Sequence, residues 1–288
     1  MNLLKYVGIP LLLGALAYVQ NNRLTVSRYV WSSPKLPSSF DGYRILQLSD
    51  LHQKTFGRGN KRLLMRVEKE RPDLIVITGD VLFGYTPDID KAIESVAGLS
   101  ELAPTYFVSG NHEFKQDEKM REELYRRLEG EGIHIHNNRC VRLHRDGGEL
   151  VLLGVDDPTC FAWRERRERF FRLLSNLVEG LGAEELKILL SHRPERFAVY
   201  EACGIDLTFS GHVHGGQIRL PFLKGLYSPE QGLFPKYQKG IYHSGTSSLV
   251  VSAGLGRSII PLRINNYPDI VVVEFKKEIQ TTRASMRT

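Results

Sequence analysis

Eight polar residues of the 288-residue chain stand at the abrupt ends of short apolar runs, and their types select a narrow chemistry. Asp50 and His52 follow the run 43–48, Asp80 follows 74–78, and Asn111 and His112 follow 106–108. His192 follows 188–190, and His212 and His214 follow 207–209. All eight offer oxygen or imidazole donors, and none is a thiolate. A mixed carboxylate, amide and imidazole set suits hard to borderline divalent ions such as manganese, iron or zinc better than a structural zinc site. One ion cannot use so many donors, whereas two ions about 3.5–4 Å apart with a carboxylate between them can. Donors at i and i+2, as in Asp50/His52 and His212/His214, turn toward one point on an extended or tightly turning segment. Gly79, Gly110 and Gly211 precede donors where the backbone must turn sharply and approach the ions.

The elements that must carry these donors follow from the runs themselves. They are rich in β-branched residues and show little polar alternation, which predicts strands buried on both faces. Between them, 61–70, 88–99 and 116–129 carry apolar residues at helical spacing. Strand–helix alternation predicts a layered α/β domain with largely parallel central strands, whose carboxyl ends form the ligand crevice. Further strands are expected at 150–155, 249–252 and 270–275. No internal repeat or second composition regime divides the chain. The expected organisation is an anchor or signal-like segment over 1–20, a polar, proline-punctuated connector over 21–39, one catalytic domain over 40–276, and a polar C-terminal tail over 277–288.

The N-terminus reads differently from the rest. From Leu3 to Val19 only Lys5 is charged, and these 17 residues would make a helix of about 26 Å at roughly 1.5 Å per residue. That is the short limit for crossing a hydrocarbon core of about 30 Å. A single-pass or signal-anchor segment is the expected reading. A cleaved signal peptide, with Ala15-Leu16-Ala17 as its processing site, and a buried or interfacial helix are the alternatives. The charge rule leaves orientation open, since Arg23, Arg28 and Lys35 only narrowly outweigh Lys5. The remainder is ordinary: 42% apolar, 25% charged and a net charge of +6, which excludes collagen-like, disordered and polytopic membrane chains. Three cysteines, Cys140, Cys160 and Cys203, are too few and too far apart for a disulfide framework or a thiolate zinc site.

Asp50-Leu51-His52, Gly79-Asp80, Gly110-Asn111-His112-Glu113, His192 and Gly211-His212-Val213-His214 together resemble the five-part signature of the calcineurin-like metallophosphoesterases. The match spans about 165 residues with no ligand missing. The stretch His214-Gly215-Gly216-Gln217-Ile218-Arg219-Leu220-Pro221, Gly254-Leu255-Gly256 and Pro261-Leu262-Arg263 resemble one branch of the family. That branch holds bacterial, often membrane-anchored phosphohydrolases, some linked to hydrolysis of UDP-diacylglucosamine. The resemblance implies an αββα sandwich and two divalent ions per chain, with manganese favoured over iron or zinc. It implies Asp50, His52, Asp80 and His214 around one ion and Asp80, Asn111, His192 and His212 around the other, Asp80 bridging. His112 would face the substrate phosphate as general acid or charge stabiliser, with Glu113 orienting it. The implied reaction is hydrolysis of a phosphodiester or pyrophosphate bond by attack of a metal-bridging hydroxide, in a lipid-linked or membrane-proximal substrate.

Other residues read more plainly. His134, His136, His144 and His243 fall outside every motif and are expected to be structural. Arg219 can hold a phosphate bidentately or serve the surface. The run 164–172 mixes charges at helical spacing, as a solvated face does. No basic stripe with interleaved aromatics appears, so no nucleic-acid partner is expected. The alternatives are a phosphomonoesterase or nuclease on a soluble substrate, and a non-catalytic module that keeps the sandwich. The last would be marked by lost ligands, and none is lost.

Overall fold

The computed structural model of the protein describes residues 8–219, 225–228, 230–257 and 262–278. Lys5, Leu220, Pro221, Pro261 and the tail from 279 onward, singled out above, lie outside the described residues. The strands gather in two mixed six-stranded sheets. In spatial order the first holds β1 (Thr25–Ser33), β14 (Asp269–Lys277), β2 (Arg44–Leu48), β3 (Leu74–Thr78), β4 (Thr105–Val108) and β5 (Ile133–Ile135). β2 to β5 run parallel, and β14 is antiparallel to β2 and parallel to β1. The second holds β12 (Gly240–Ser244), β13 (Ser247–Val251), β9 (Leu207–Ser210), β8 (Lys187–Leu190), β7 (Gly148–Gly154) and β6 (Arg139–Arg145). It is parallel from β13 to β7 and antiparallel at both edges. A separate hairpin pairs β10 (Tyr227–Ser228) with β11 (Gly232–Leu233).

Three apolar interfaces stack the layers. Leu46, Ile75, Ile77 and Phe107 of the first sheet pack on Leu63 and Val67 of α2 (Lys61–Glu70), Ile93 of α3 (Ile89–Val96) and Leu124 of α4 (Glu118–Gly130). The opposite face of that sheet, through Ile45, Leu74, Val76 and Val108, meets Leu150, Leu152, Ile188 and Phe209 of the second sheet. The outer face of the second sheet, through Val151, Leu153 and Leu189, meets Phe170 and Leu174 of α5 (Arg166–Val178) and Tyr200 of α6 (Phe197–Ala202). The result is an αββα sandwich. Each sheet is covered on both faces, so β3, β8, β9 and β13 are buried at every residue. That double burial is why their sequences run apolar without alternation.

Three differences from the sequence reading have local causes. The segment expected to be a connector contains β1, which pairs over nine residues with β14. Its half-exposed, mixed composition is that of an edge strand, not of a linker. Helices α3 and α4 begin after Asp88 and Asp117, whose carboxylates accept the backbone N–H of Lys91 and Met120 and so cap the first turns. The apolar N-terminal run forms α1 (Ile9–Asn22), which continues past Val19 because Gln20, Asn21 and Asn22 still propagate the helix. Leu11, Leu12 and Tyr18 are 67%, 60% and 67% exposed. Among the described residues no helix is long and apolar enough to cross a membrane.

Candidate metal centre

The carboxyl ends of β2, β3, β4, β8 and β9 deliver seven of the eight expected donors to one place, with Asn111 next to His112 at the end of β4. Asp50, His52 and His214 bring ligand atoms within 4.8 Å of one another, as do Asp80, His192 and His212, and also His52, Asp80 and His112. Asp80 and His52 thus belong to two overlapping groups. All eight residues are buried. Sharp turns achieve this convergence: Asp50, His52, Asp80, His212 and His214 all hold positive φ, between 46° and 71°. That backbone region is unfavourable for residues with a β-carbon and is concentrated at functional sites. A β-carbon at Gly110 would overlap Asp80 Oδ1, and one at Gly211 would overlap Ser49 Oγ. Only glycine lets these loops close on the carboxylates.

Backbone carbonyls fix which ring nitrogen faces the centre. His52 Nδ1–H donates to Leu82 O at 2.9 Å, leaving the Nε2 lone pair directed at His214 Nε2, 3.2 Å away. His192 Nδ1–H donates to Thr78 O at 2.7 Å, and its Nε2 lies 3.2 Å from Asp80 Oδ2. Outer hydrogen bonds of this kind orient imidazoles that hold cations. Asn111 Oδ1 and His214 Nδ1 are buried without a hydrogen-bond partner, a costly state for polar atoms that bound cations relieve. The residues present therefore fit divalent ions. His212 differs, because Arg193 Nη1 donates to its Nε2 at 2.9 Å. A guanidinium only donates, so the His212 lone pair is held by a buried cationic donor.

Electrostatics agree with the hydrogen bonds. Burial pushes His52 down to about 4 and holds His212 and His214 well below the ordinary imidazole range. These rings stand neutral, the form that ligates. Burial opposes charge on His192, but Asp80, with Asp50 and Asp157 behind it, raises its pKa to about 10. Burial likewise opposes charge on Asp80, yet His192, His112 and His52 keep its carboxyl well below the usual range. The His192–Asp80 contact is an ion pair whose proton a cation would displace.

Glu113 parts company with the expectation. Glu113 does not touch the imidazole of its neighbour. Its Oε2 accepts the N–H groups of Asp80 (2.9 Å) and Gly110 (2.8 Å), and its Oε1 accepts that of Leu82 (3.0 Å). The 3₁₀ turn Glu113–Lys115 aims the carboxylate back under β3, so Glu113 braces two donor loops. The His112 ring is oriented instead by the Gly84 N–H, which donates to Nδ1 at 2.8 Å. Lys115 Nζ lies 3.1 Å from His112 Nε2; an ammonium and a backbone N–H both donate while a neutral imidazole has one acceptor nitrogen, so the two contacts compete for it. Burial lowers the His112 pKa. Arg219 spends Nη1 on Gly215 O at 3.1 Å, bracing the turn after His214.

Asp157 and Arg193 were not singled out in the sequence. Arg193 Nε and Nη2 meet Asp157 Oδ2 and Oδ1 at 2.5 and 3.1 Å, and Nη1 also meets Glu230 Oε1 at 2.7 Å. Both residues are buried. The available signal was position: Asp157 follows β7 and Arg193 follows His192, both at the crevice edge. His136 Nε2–H donates to Leu152 O, His144 pairs with Glu149, and His243 meets Ser248 Oγ. These contacts give the three rings structural partners.

Comparison with known proteins agrees with this geometry. The sequence model of the calcineurin-like phosphoesterase family matches residues 43–216. An uncharacterized metallophosphoesterase of Aquifex aeolicus is 29% identical, over 93% of this chain and 98% of its own length. YkuE, an uncharacterized metallophosphoesterase of Bacillus subtilis, is 28% identical over 91% of this chain and 89% of its own. The phosphodiesterase YaeI of Escherichia coli is 26% identical over 81% and 82%. With donors, tautomers and family model pointing the same way, the chain belongs to the calcineurin-like phosphoesterase family and is a metal-dependent phosphoester hydrolase.

Proposed function

We propose that the protein cleaves a phosphodiester or pyrophosphate bond of a lipid-linked or membrane-proximal substrate, using two divalent ions with manganese favoured. The observation that carries the reaction class is the convergence of Asp50, His52, Asp80, Asn111, His192, His212 and His214 at the ends of five strands. When bound, two divalent ions supply activation of water and neutralisation of phosphoryl charge. Asp50, His52 and His214 would hold one, and Asp80, Asn111, His192 and His212 the other. Taking an ion at His212 Nε2 requires Arg193 to release that atom. With Gly84 holding Nδ1, a neutral His112 would present an Nε2–H donor to the substrate in place of the Lys115 contact. Protonating Nδ1 would break the Gly84 contact, which favours charge stabilisation at the phosphoryl oxygens over donation of a second proton.

The phosphodiesterase assignment of YaeI supports a diester over a monoester. Membrane proximity is supported by α1, which is apolar around its whole circumference and buries none of its residues. Helices with that pattern are stable where lipid or protein covers them. The full chain loaded with Mn²⁺ is expected to hydrolyse bis-p-nitrophenyl phosphate. Asp80→Asn is expected to lose at least about 100-fold in turnover, more than loss of an outer-sphere partner costs. Hydrolysis that survives both chelation and Asp80→Asn would overturn the assignment.

A further inference from the structure

A cavity of about 570 Å³ opens beside His52 and Phe83 and extends to the carboxyl end of α1 at Asn21. That volume is in the range of small-ligand sites. Its wall gathers three basic side chains, Lys54, Lys91 and Arg257, against one carboxylate, Asp88; burial, with Arg263 and Arg62 nearby, brings Lys54 down to about 7. Lys91 is paired with Asp88 at 2.8 Å. Lys54 donates to the Asn21 carbonyl and lies 4.7 Å from the centre of the Phe56 ring. Arg257 lies over the Phe83 ring at 4.8 Å. Among the described residues neither Lys54 nor Arg257 has a carboxylate partner. The cavity is one ring away from the metal centre, since the Phe83 and His52 rings are 5.5 Å apart.

We propose that this cavity binds a second anionic group of the substrate, a phosphate or carboxylate carried beyond the scissile phosphate, with Arg257 and Lys54 as its recognition residues. The proposal rests on the phosphohydrolase reading, which places the scissile phosphate at the His52 side. Charge and position both favour it. A guanidinium without a carboxylate offers bidentate donors to an oxyanion. A small diester with a single negative charge would leave these cations unused. The substrate class is therefore a diphosphate, or a phosphodiester bearing a further acidic group.

Calorimetric titration of the Mn²⁺-loaded full chain tests this with butylphosphonate, 4-phosphonobutyrate and butane-1,4-bisphosphonate. At least one doubly anionic ligand is expected to bind about tenfold more tightly than butylphosphonate, the gain from one or two charged hydrogen bonds. Preference for the bisphosphonate alone assigns the cavity to a second phosphate, and preference for both assigns it to either anion. In Arg257→Ser, a change at an exposed position, the preference is expected to fall to about threefold or less, and Arg257→Lys is expected to restore part of it. Lys54→Met provides an independent second variant. Butylphosphonate binding in each variant reports an intact metal centre. No preference in the native chain, or a preference unchanged in both Arg257→Ser and Lys54→Met, overturns the proposal. Because calorimetry reads binding without turnover, an intact preference with no hydrolysis of bis-p-nitrophenyl phosphate would overturn the hydrolytic reading alone.

Discussion

Replacing Glu113 by Gln would exchange one of two oxygens that accept three backbone N–H groups for an NH₂ that can only donate. At least one buried N–H is left facing a donor, which costs about 1–3 kcal/mol. Glu113→Gln is thus expected to lower denaturant stability by that amount and to weaken Mn²⁺ binding by displacing the Asp80 and Gly110 loops. An unchanged stability with only an altered pH–rate profile would instead implicate Glu113 in orienting His112. Asp157→Asn makes a parallel case, because it withdraws charge from a buried guanidinium. Removing one partner of a buried pair costs about 3–5 kcal/mol, and Glu195 and Glu230 near Arg193 place the expectation at the lower end. A loss below about 0.5 kcal/mol in chemical denaturation would show that these two glutamates carry the arginine alone. The donors themselves were legible in the sequence because their residue types and strand-end positions are local. Sequence adjacency misled at Glu113, since neighbours on a 3₁₀ turn point in different directions. Asp157 and Arg193 are 36 positions apart, so their pairing exists only after β7 and β8 align.

Strands buried on both faces announce themselves through unbroken apolar runs, and β2, β3, β8 and β9 were readable for that reason. Which strands pair was not readable, because the same run suits any place in either sheet. The division into two sheets came from the family resemblance, and the three interfaces of the sandwich give it physical form. β1 was hidden by its composition. It is an edge strand, yet Trp31 at its end is buried, donates Nε1–H to Ser248 Oγ at 2.9 Å and packs 5.2 Å from the Phe275 ring. A deletion ending at residue 23 keeps this strand, whereas one ending at residue 33 removes it together with Trp31. Loss of a buried tryptophan alone costs about 3–5 kcal/mol. The shorter deletion is expected to retain a cooperative thermal transition, and the longer one to lose it or shift it sharply downward. Equal transitions would mean that β1 contributes little to the first sheet.

The whole molecule sets an apolar helix against a catalytic body whose charge is mildly positive, +6 in all. The helix is tied to the body at its carboxyl end, where the Asn265 N–H donates to Gln20 Oε1, the Arg263 N–H to Asn21 Oδ1, and Arg62 reaches Asn22 O. These ties join α1 to the cationic cavity at Asn21. If the helix rests in lipid, the cavity at its carboxyl end lies close to the headgroup layer, and a lipid-linked phosphate would have a short path to the donors. Burying a leucine side chain contributes about 1.5–3 kcal/mol. Leu12→Glu with Leu16→Glu is therefore expected to reduce partitioning onto phosphatidylcholine–phosphatidylglycerol vesicles by at least about tenfold. The same variant is expected to lose turnover on vesicle-embedded hexadecyl p-nitrophenyl phosphate while keeping its rate on soluble bis-p-nitrophenyl phosphate. Both residues are exposed on α1 and touch none of the donors, so an equal loss on the two substrates would not come from the chemistry of the site. Equal rates of the variant and the native chain on the vesicle substrate would detach the helix from substrate delivery and leave its apolar surface to a protein partner.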